Sequence, residues 1–131
     1  MDLRMTEFEK VAKWLGSAVR ASEDKRLLGY YGEYLVASEL AKRGYDVKVL
    51  GKRRGPDLRI QSTKAMIEVK TGNRGLKGWS CDASFRDGKS IKQKAFQYCV
   101  FVVFDNFKPV EYLVFHRNEL KEVADRPRPY P

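Results

Sequence analysis

One histidine and two cysteines among 131 residues leave little room for several kinds of chemistry. Cys81 and Cys99 stand alone rather than in a Cys-x-x-Cys spacing, so neither a zinc site nor a dithiol redox motif follows. Reduced thiols are the default in an intracellular setting. His116 has no cysteine or second histidine near it in sequence and reads as a surface or packing residue rather than a catalytic base. No glycine-rich stretch ends in Gly-Lys-Ser/Thr, and the closest, Gly72-Asn-Arg-Gly, lacks that ending, so no nucleotide cofactor is indicated. No apolar run approaches the ~20 residues that span a bilayer, and the start, MDLRMTEFEK, leads into no apolar secretory segment. These absences predict a soluble, cytoplasmic protein without a membrane partner.

What the chain does have is enough apolar material for one core. Hydrophobic residues make up 43%, ordinary for a globular protein and too many for a disordered one. The length suits a single domain, 1–131. Thr6-x-x-Glu9 has the form of a capping box, and Phe8, Val11, Ala12, Leu15, Ala18 and Val19 recur at helical spacing behind it, predicting a helix over 6–21. Residues 21–28 read as a charged connector. A second helix is expected over 30–43, stopping at Gly44, with Glu33 in its first turn, where the helix dipole alone could account for an acid. Strands are expected at 45–50, 57–60, 65–71, 99–105 and 110–115. The nearly all-apolar 99–105 has the pattern of a strand buried on both faces. Residues 71–88 read as a long loop, 90–98 and 118–123 as short helices, and Arg-Pro-Arg-Pro-Tyr-Pro (126–131) as an extended tail. That order predicts an α/β sandwich, a mixed central β-sheet flanked by helices on both sides.

Charge is unevenly placed. Between Lys48 and Lys94 there are 13 basic residues and four acidic ones, an excess equal to the whole net charge of +9. Lys52, Arg53 and Arg54 open this window; Arg74, Lys77, Arg86, Lys89, Lys92 and Lys94 close it. Clustered cations of this kind attract a polyanion without reading its sequence, although a basic face can also serve solubility alone. Trp79 and Phe85 lie among them, able either to stack on unpaired bases or to anchor the segment.

Two of the four acids in that window, Asp57 and Glu68, are separated by ten residues that include the polar turn Gln61-Ser62-Thr63-Lys64. This spacing predicts a hairpin. With a side-chain period of two, Glu68 and Lys70 share a face, and cross-strand pairing can bring Asp57 toward it. Two carboxylates so placed can hold a hard divalent cation together with water and a phosphate, with a lysine beside the reacting group. A surface hairpin with cross-strand ion pairs would have the same composition.

Gly-Pro-Asp57, the ten-residue gap and Glu68-Val69-Lys70 resemble the signature of the PD-(D/E)xK nuclease superfamily. Residues 29–45, with Glu33, look like the helix that carries a further glutamate in those enzymes, and Gln93 stands where many members have a glutamine. The layout is most similar to archaeal Holliday junction resolvases and to Mrr-like or RecB-like nuclease domains. The match covers 29–105, with 1–28 as an N-terminal helical extension. The third motif departs in form, Gln93 being followed by Gln97 and Tyr98 rather than by a tyrosine four residues on. The resemblance implies a restriction-endonuclease-like three-layer sandwich and a Mg²⁺-dependent DNA endonuclease, Mn²⁺ being an alternative metal. In it, Asp57, Glu68 and the Val69 carbonyl hold the metal. Lys70 positions water or stabilises the pentavalent phosphorus, Glu33 supports a second metal or the water network, and Gln93 touches the substrate phosphate. It further implies duplex or branched DNA as partner and, for symmetric cutting, a homodimer, for which Trp14, Tyr30, Tyr31 and residues 99–115 offer apolar surface. The rival expectation is a non-catalytic nucleic-acid-binding module or accessory subunit that keeps the nuclease fold.

Overall fold

The computed structural model describes residues 6–51, 56–75, 78–81 and 96–124, without the side chains of residues 75, 78–81 and 121–124. Helix α1 (Glu7–Ser22) starts where the capping box predicts: the Thr6 hydroxyl accepts from the Glu9 N–H at 3.1 Å. It ends at Glu23, whose left-handed backbone (φ 56°) lets its N–H reach the Val19 carbonyl. Helix α2 (Lys25–Lys42) begins earlier than the periodicity suggests. Asp24 caps it, accepting from the Arg26 N–H at 2.8 Å, so the supposed connector is largely helix. Glu33 therefore lies in the third turn, beyond reach of the N-terminal dipole, and that structural account of it falls away. Gly44, at φ 93°, ends the helix as expected.

The strands are β1 (Val47–Val49), β2 (Leu58–Ile60), β3 (Met66–Gly75), β4 (Gly78–Cys81), β5 (Tyr98–Asp105) and β6 (Lys108–His116), followed by helix α3 (Arg117–Ala124). They form one mixed sheet in the order β1-β2-β3-β5-β6, with β4 pairing the far end of β3. All contacts are antiparallel except β3 on β5, which runs parallel from Ile67↔Tyr98 to Arg74↔Asp105. The expected loop after Lys70 is thus partly strand: β3 continues to Gly75 and turns back into β4. Glycines at 72, 75 and 78 argue locally against a strand, but β5 hydrogen-bonds this stretch along its length and overrides the propensity. The expected helix 90–98 falls mostly outside the described residues; its last residue, Tyr98, opens β5.

Alternation along β5 divides two cores. Val100, Val102 and Phe104 pack with Leu58, Ile60, Ile67 and Val69 under α2, and α1 caps that helix through Ala12, Leu15 and Val19. On the opposite face Cys99 packs with Phe96 and Leu120 of α3, flanked by Met66, Phe101 and Phe115. Helices therefore cover both faces of the sheet, and β5 is buried on both, as its apolar run predicts. Truncating a fully buried side chain such as Leu58 to alanine costs about 2–5 kcal/mol. No helix among the described residues is long and apolar enough to cross a membrane.

Candidate active site

The β2–β3 register sets the carboxylates. Leu58 pairs with Ile67, and the Asp57 N–H also donates to the Ile67 carbonyl at 3.0 Å, which holds Asp57 at the start of β2 beside the Ile67–Val69 stretch of β3. Beyond that point β2 ends. The next inward-pointing donor of β3, the Val69 N–H, is taken by the Asp57 side chain, whose Oδ2 accepts it at 2.7 Å. In a strand the N–H and C=O of one residue leave on the same edge. The Val69 carbonyl therefore emerges beside Asp57, where the resemblance asks for a ligand.

Glu68 and Lys70 point to the same face of β3 and are both buried, at 1% and 8% exposure. Buried charges are costly unless paired or hydrogen-bonded, so their retention here calls for a reason. Asp57 hydrogen-bonds Glu68 and also Glu33, which reaches it from α2. Burial is the main force raising the Asp57 carboxyl above its ordinary value; the Glu33 carboxylate adds to the rise, while the hydrogen bonds from Glu68 and the Val69 N–H oppose it. Three acids from one helix and two strands thus meet around Asp57.

The approach of α2 that brings Glu33 there depends on Gly32. A Cβ on Gly32 would stand 2.5 Å from Cγ2 of Thr71 and 3.6 Å from Cγ1 of Val69. The helix lies on β3 closer than any residue with a side chain allows. Gly32 and Thr71 escaped the sequence reading. The available signal was a glycine in a helix interior, which costs about 1 kcal/mol against alanine and needs a local cause.

Among the described residues no three His, Cys, Asp or Glu side chains form a metal-holding group. The donors that do fit are the Asp57 and Glu68 carboxylates and the Val69 carbonyl. This all-oxygen set suits Mg²⁺ or Mn²⁺, which bind through one or two carboxylates and keep several waters.

The structure therefore brings Glu33, Asp57, Glu68, Val69 and Lys70 into one neighbourhood. Arg74 is exposed on β3, toward the β4 end. Gln93, Lys52, Arg53, Arg54, Lys77, Arg86, Lys89, Lys92 and Lys94 lie outside the described residues. His116 has a local role: its Nδ1 accepts from the Asn118 N–H at 3.1 Å, and its ring meets Tyr98 edge-on. Cys99 is buried as a free thiol. Compared with protein-family models and with curated proteins, the sequence finds no match, so the likeness to PD-(D/E)xK nucleases rests on the residue pattern.

Proposed function

We propose that this chain is a divalent-cation-dependent DNA endonuclease on a restriction-endonuclease-like sandwich. The observation that carries the reading is the meeting of Asp57 with Glu68 and Glu33 beside a buried Lys70. Two further acids act on Asp57, and its carboxyl is held above its ordinary range mainly by burial, a combination that favours a functional site over a scaffold. Asp57, Glu68 and the Val69 carbonyl would hold the cation. When bound, Mg²⁺ or Mn²⁺ supplies Lewis acidity toward a phosphoryl oxygen.

The chain's own residues do the rest. Asp57 and Glu68 must shed any shared proton before they ligate, so the site is charged for work only above the raised Asp57 range. Lys70, on the Glu68 face, presents an ammonium that orients the attacking water and balances charge gathering on the phosphate. The water oxygen bonds to phosphorus, and the P–O3′ bond breaks with its electron pair going to O3′, which takes up a proton. The products are a 5′-phosphate and a 3′-hydroxyl. Glu33 holds the water network next to Asp57. The basic window from Lys48 to Lys94 supplies the attraction for the DNA backbone. Branched DNA, including four-way junctions, is the substrate favoured by the small resolvase-like layout.

The test is cleavage of labelled four-way-junction, duplex and single-stranded DNA with Mg²⁺ or Mn²⁺, against EDTA, Asp57→Ala and Lys70→Ala. Metal-dependent cutting abolished by both substitutions is expected. Salt-sensitive binding with no cutting of any substrate would replace the enzyme by a non-catalytic nucleic-acid-binding module.

A further inference from the structure

Glycines 16, 29 and 32 stand inside α1 and α2, and packing accounts for two of them. A Cβ on Gly16 would meet the Tyr31 hydroxyl at 2.8 Å, and one on Gly32 would meet Thr71 at 2.5 Å. Gly29 differs: no described atom lies within 4 Å of the place its Cβ would take. It is helical and not among the glycines with positive φ, so no turn requires it either. A glycine costs a helix stability that alanine would not. The remaining use of a bare backbone is the close approach of something from outside the chain.

The neighbours of Gly29 narrow what that something is. Residues one turn apart on a helix are about 5–6 Å apart between Cβ atoms. One turn onward is Glu33, which hydrogen-bonds Asp57. One turn back are Lys25 and Arg26, both exposed. Beside Gly29 is Tyr30, 54% exposed. The adjacent Tyr31 does the opposite: it is 6% exposed and packs against Phe104, so it does not offer the dimer surface expected of it. The helix face that carries Arg26, Tyr30 and Glu33 closes one turn further on, where Ala37 is fully buried. Open at Arg26 and Tyr30, half-buried at Glu33 and shut at Ala37, this strip leads from solvent into the acidic site.

We propose that Gly29 and Tyr30 seat an unpaired nucleotide next to the scissile phosphate, its sugar against the bare backbone and its base stacked on the Tyr30 ring. The seat rests on the nuclease reading and narrows the substrate to DNA that is unpaired beside the cut. Charge sets its polarity. Glu33 and Asp57 repel a phosphate from the Gly29 turn, whereas Arg26 attracts one a turn away. Between them the group that fits is neutral and flat, which describes a base. An aromatic ring holds a base by its π-face and tolerates any sequence. A base inside a duplex has both faces covered by its neighbours, so only an unstacked one can lie on Tyr30.

Binding measured in EDTA, where nothing is cut, tests the seat apart from the chemistry. Fluorescence anisotropy compares a duplex carrying a 5′ or 3′ single-stranded flap with the same duplex fully paired. The wild type should prefer a flapped DNA, and Tyr30→Ala should weaken that binding about 10-fold or more while leaving the paired duplex within about twofold. Tyr30→Phe keeps the ring and should bind like wild type. Gly29→Leu fills the seat on an open helix face, so it should lose the same preference while circular dichroism shows the helix intact. One measurement needs no variant to fold. An abasic nucleotide beside the flap junction should cost the wild type as much as Tyr30→Ala does, and should cost Tyr30→Ala nothing more. Equal binding of flapped and paired DNA by wild type, equal losses on both DNAs in Tyr30→Ala, or additive losses from the abasic nucleotide and Tyr30→Ala would each overturn the proposal. Failure of the nuclease reading looks different: a wild type that cuts none of these DNAs with Mg²⁺ or Mn²⁺, yet keeps its Tyr30-dependent preference for flaps, would lose the reaction and retain the seat.

Discussion

Two regions of the sheet, the β2–β3 pair at its middle and the edge strand β6, break the ordinary rules of burial in opposite directions. At β2 and β3 charge is put inside: Glu68 and Lys70 are nearly inaccessible, and Asp57 stands against two acids. At β6 apolar surface is left outside: Val114 is 64% exposed although its partner Val100 is at 7%. Each departure costs stability unless other groups compensate it. On the proposed function a cation would relieve the first, turning the carboxylates into ligands. Strand β5, which lies between the two regions, follows the rules, and it is the part with no proposed task. Departures from local consistency of this kind are where a fold's functional sites are to be sought.

The largest effect expected from breaking this contrast is on catalysis. Asp57→Asn keeps the shape of the side chain and its acceptor for the Val69 N–H, but loses the ligand charge. Cleavage should fall by roughly 10³-fold or more, as when a principal electrostatic group is removed from a phosphoryl-transfer site. Gel assays on the preferred DNA read this directly, and a variant within tenfold of wild type would remove Asp57 from the chemistry.

The same substitution should raise stability, which separates a functional site from a structural one. The native Asp57 carboxyl is held above its model value of 3.8, mainly by burial. Between that value and its raised native one, the folded chain keeps a proton that the unfolded chain has released. Stability from this group is therefore complete below 3.8 and is lost as pH rises through the native value. Asparagine mimics the protonated form at every pH. Urea unfolding in EDTA should show Asp57→Asn more stable than wild type at pH 7, with the gap closing in acid. An excess of Mn²⁺ should reverse the order at neutral pH, since a ligand at a hundred times its Kd stabilises by about 2.7 kcal/mol. A gap independent of pH would mean that burial of Asp57 carries no electrostatic cost.

Gly32 tests how the helix layer holds the acidic site. Gly32→Ala gains about 1 kcal/mol of helix propensity, yet its methyl meets a stiff β-branched side chain at 2.5 Å. Overpacking of that kind costs typically 1–3 kcal/mol, so a net loss of about 1–2 kcal/mol is expected, together with a lower kcat as Glu33 is carried away from Asp57. Thr71→Ser removes the offending methyl. The double variant should recover stability to wild-type level and regain most of the activity, which a general loosening of α2 would not allow.

Much of this was legible in the sequence, for reasons that can be located. The Asp57–Glu68 pairing could be read because a polar turn fixes register within one hairpin, and register decides which face each side chain takes. The β5 strand could be read because burial on both faces leaves an unbroken apolar run. The start of α2 was missed because Lys25 and Arg26 hide the apolar period, leaving only the Asp24 cap as a signal. The β3–β4 extension was missed because its stability comes from β5, more than twenty residues away in sequence, and not from its own glycine-rich composition. The contact between Gly32 and Thr71 is likewise tertiary, and a glycine inside a helix can only hint at it.

The smallest effect is expected at β6 and sharpens the contrast most. Val100 and Val114 are cross-strand partners on the same face, differing in whether anything lies above them. Val→Thr is nearly isosteric but adds a hydroxyl. At Val100 that hydroxyl is buried in the core beneath α2 and should cost about 1–3 kcal/mol. At Val114 the same change should stay within about 0.5 kcal/mol, because water already reaches the position. Equal costs at both positions would mean that β6 is as well covered as β5, and the contrast between the two regions of the sheet would fail at β6.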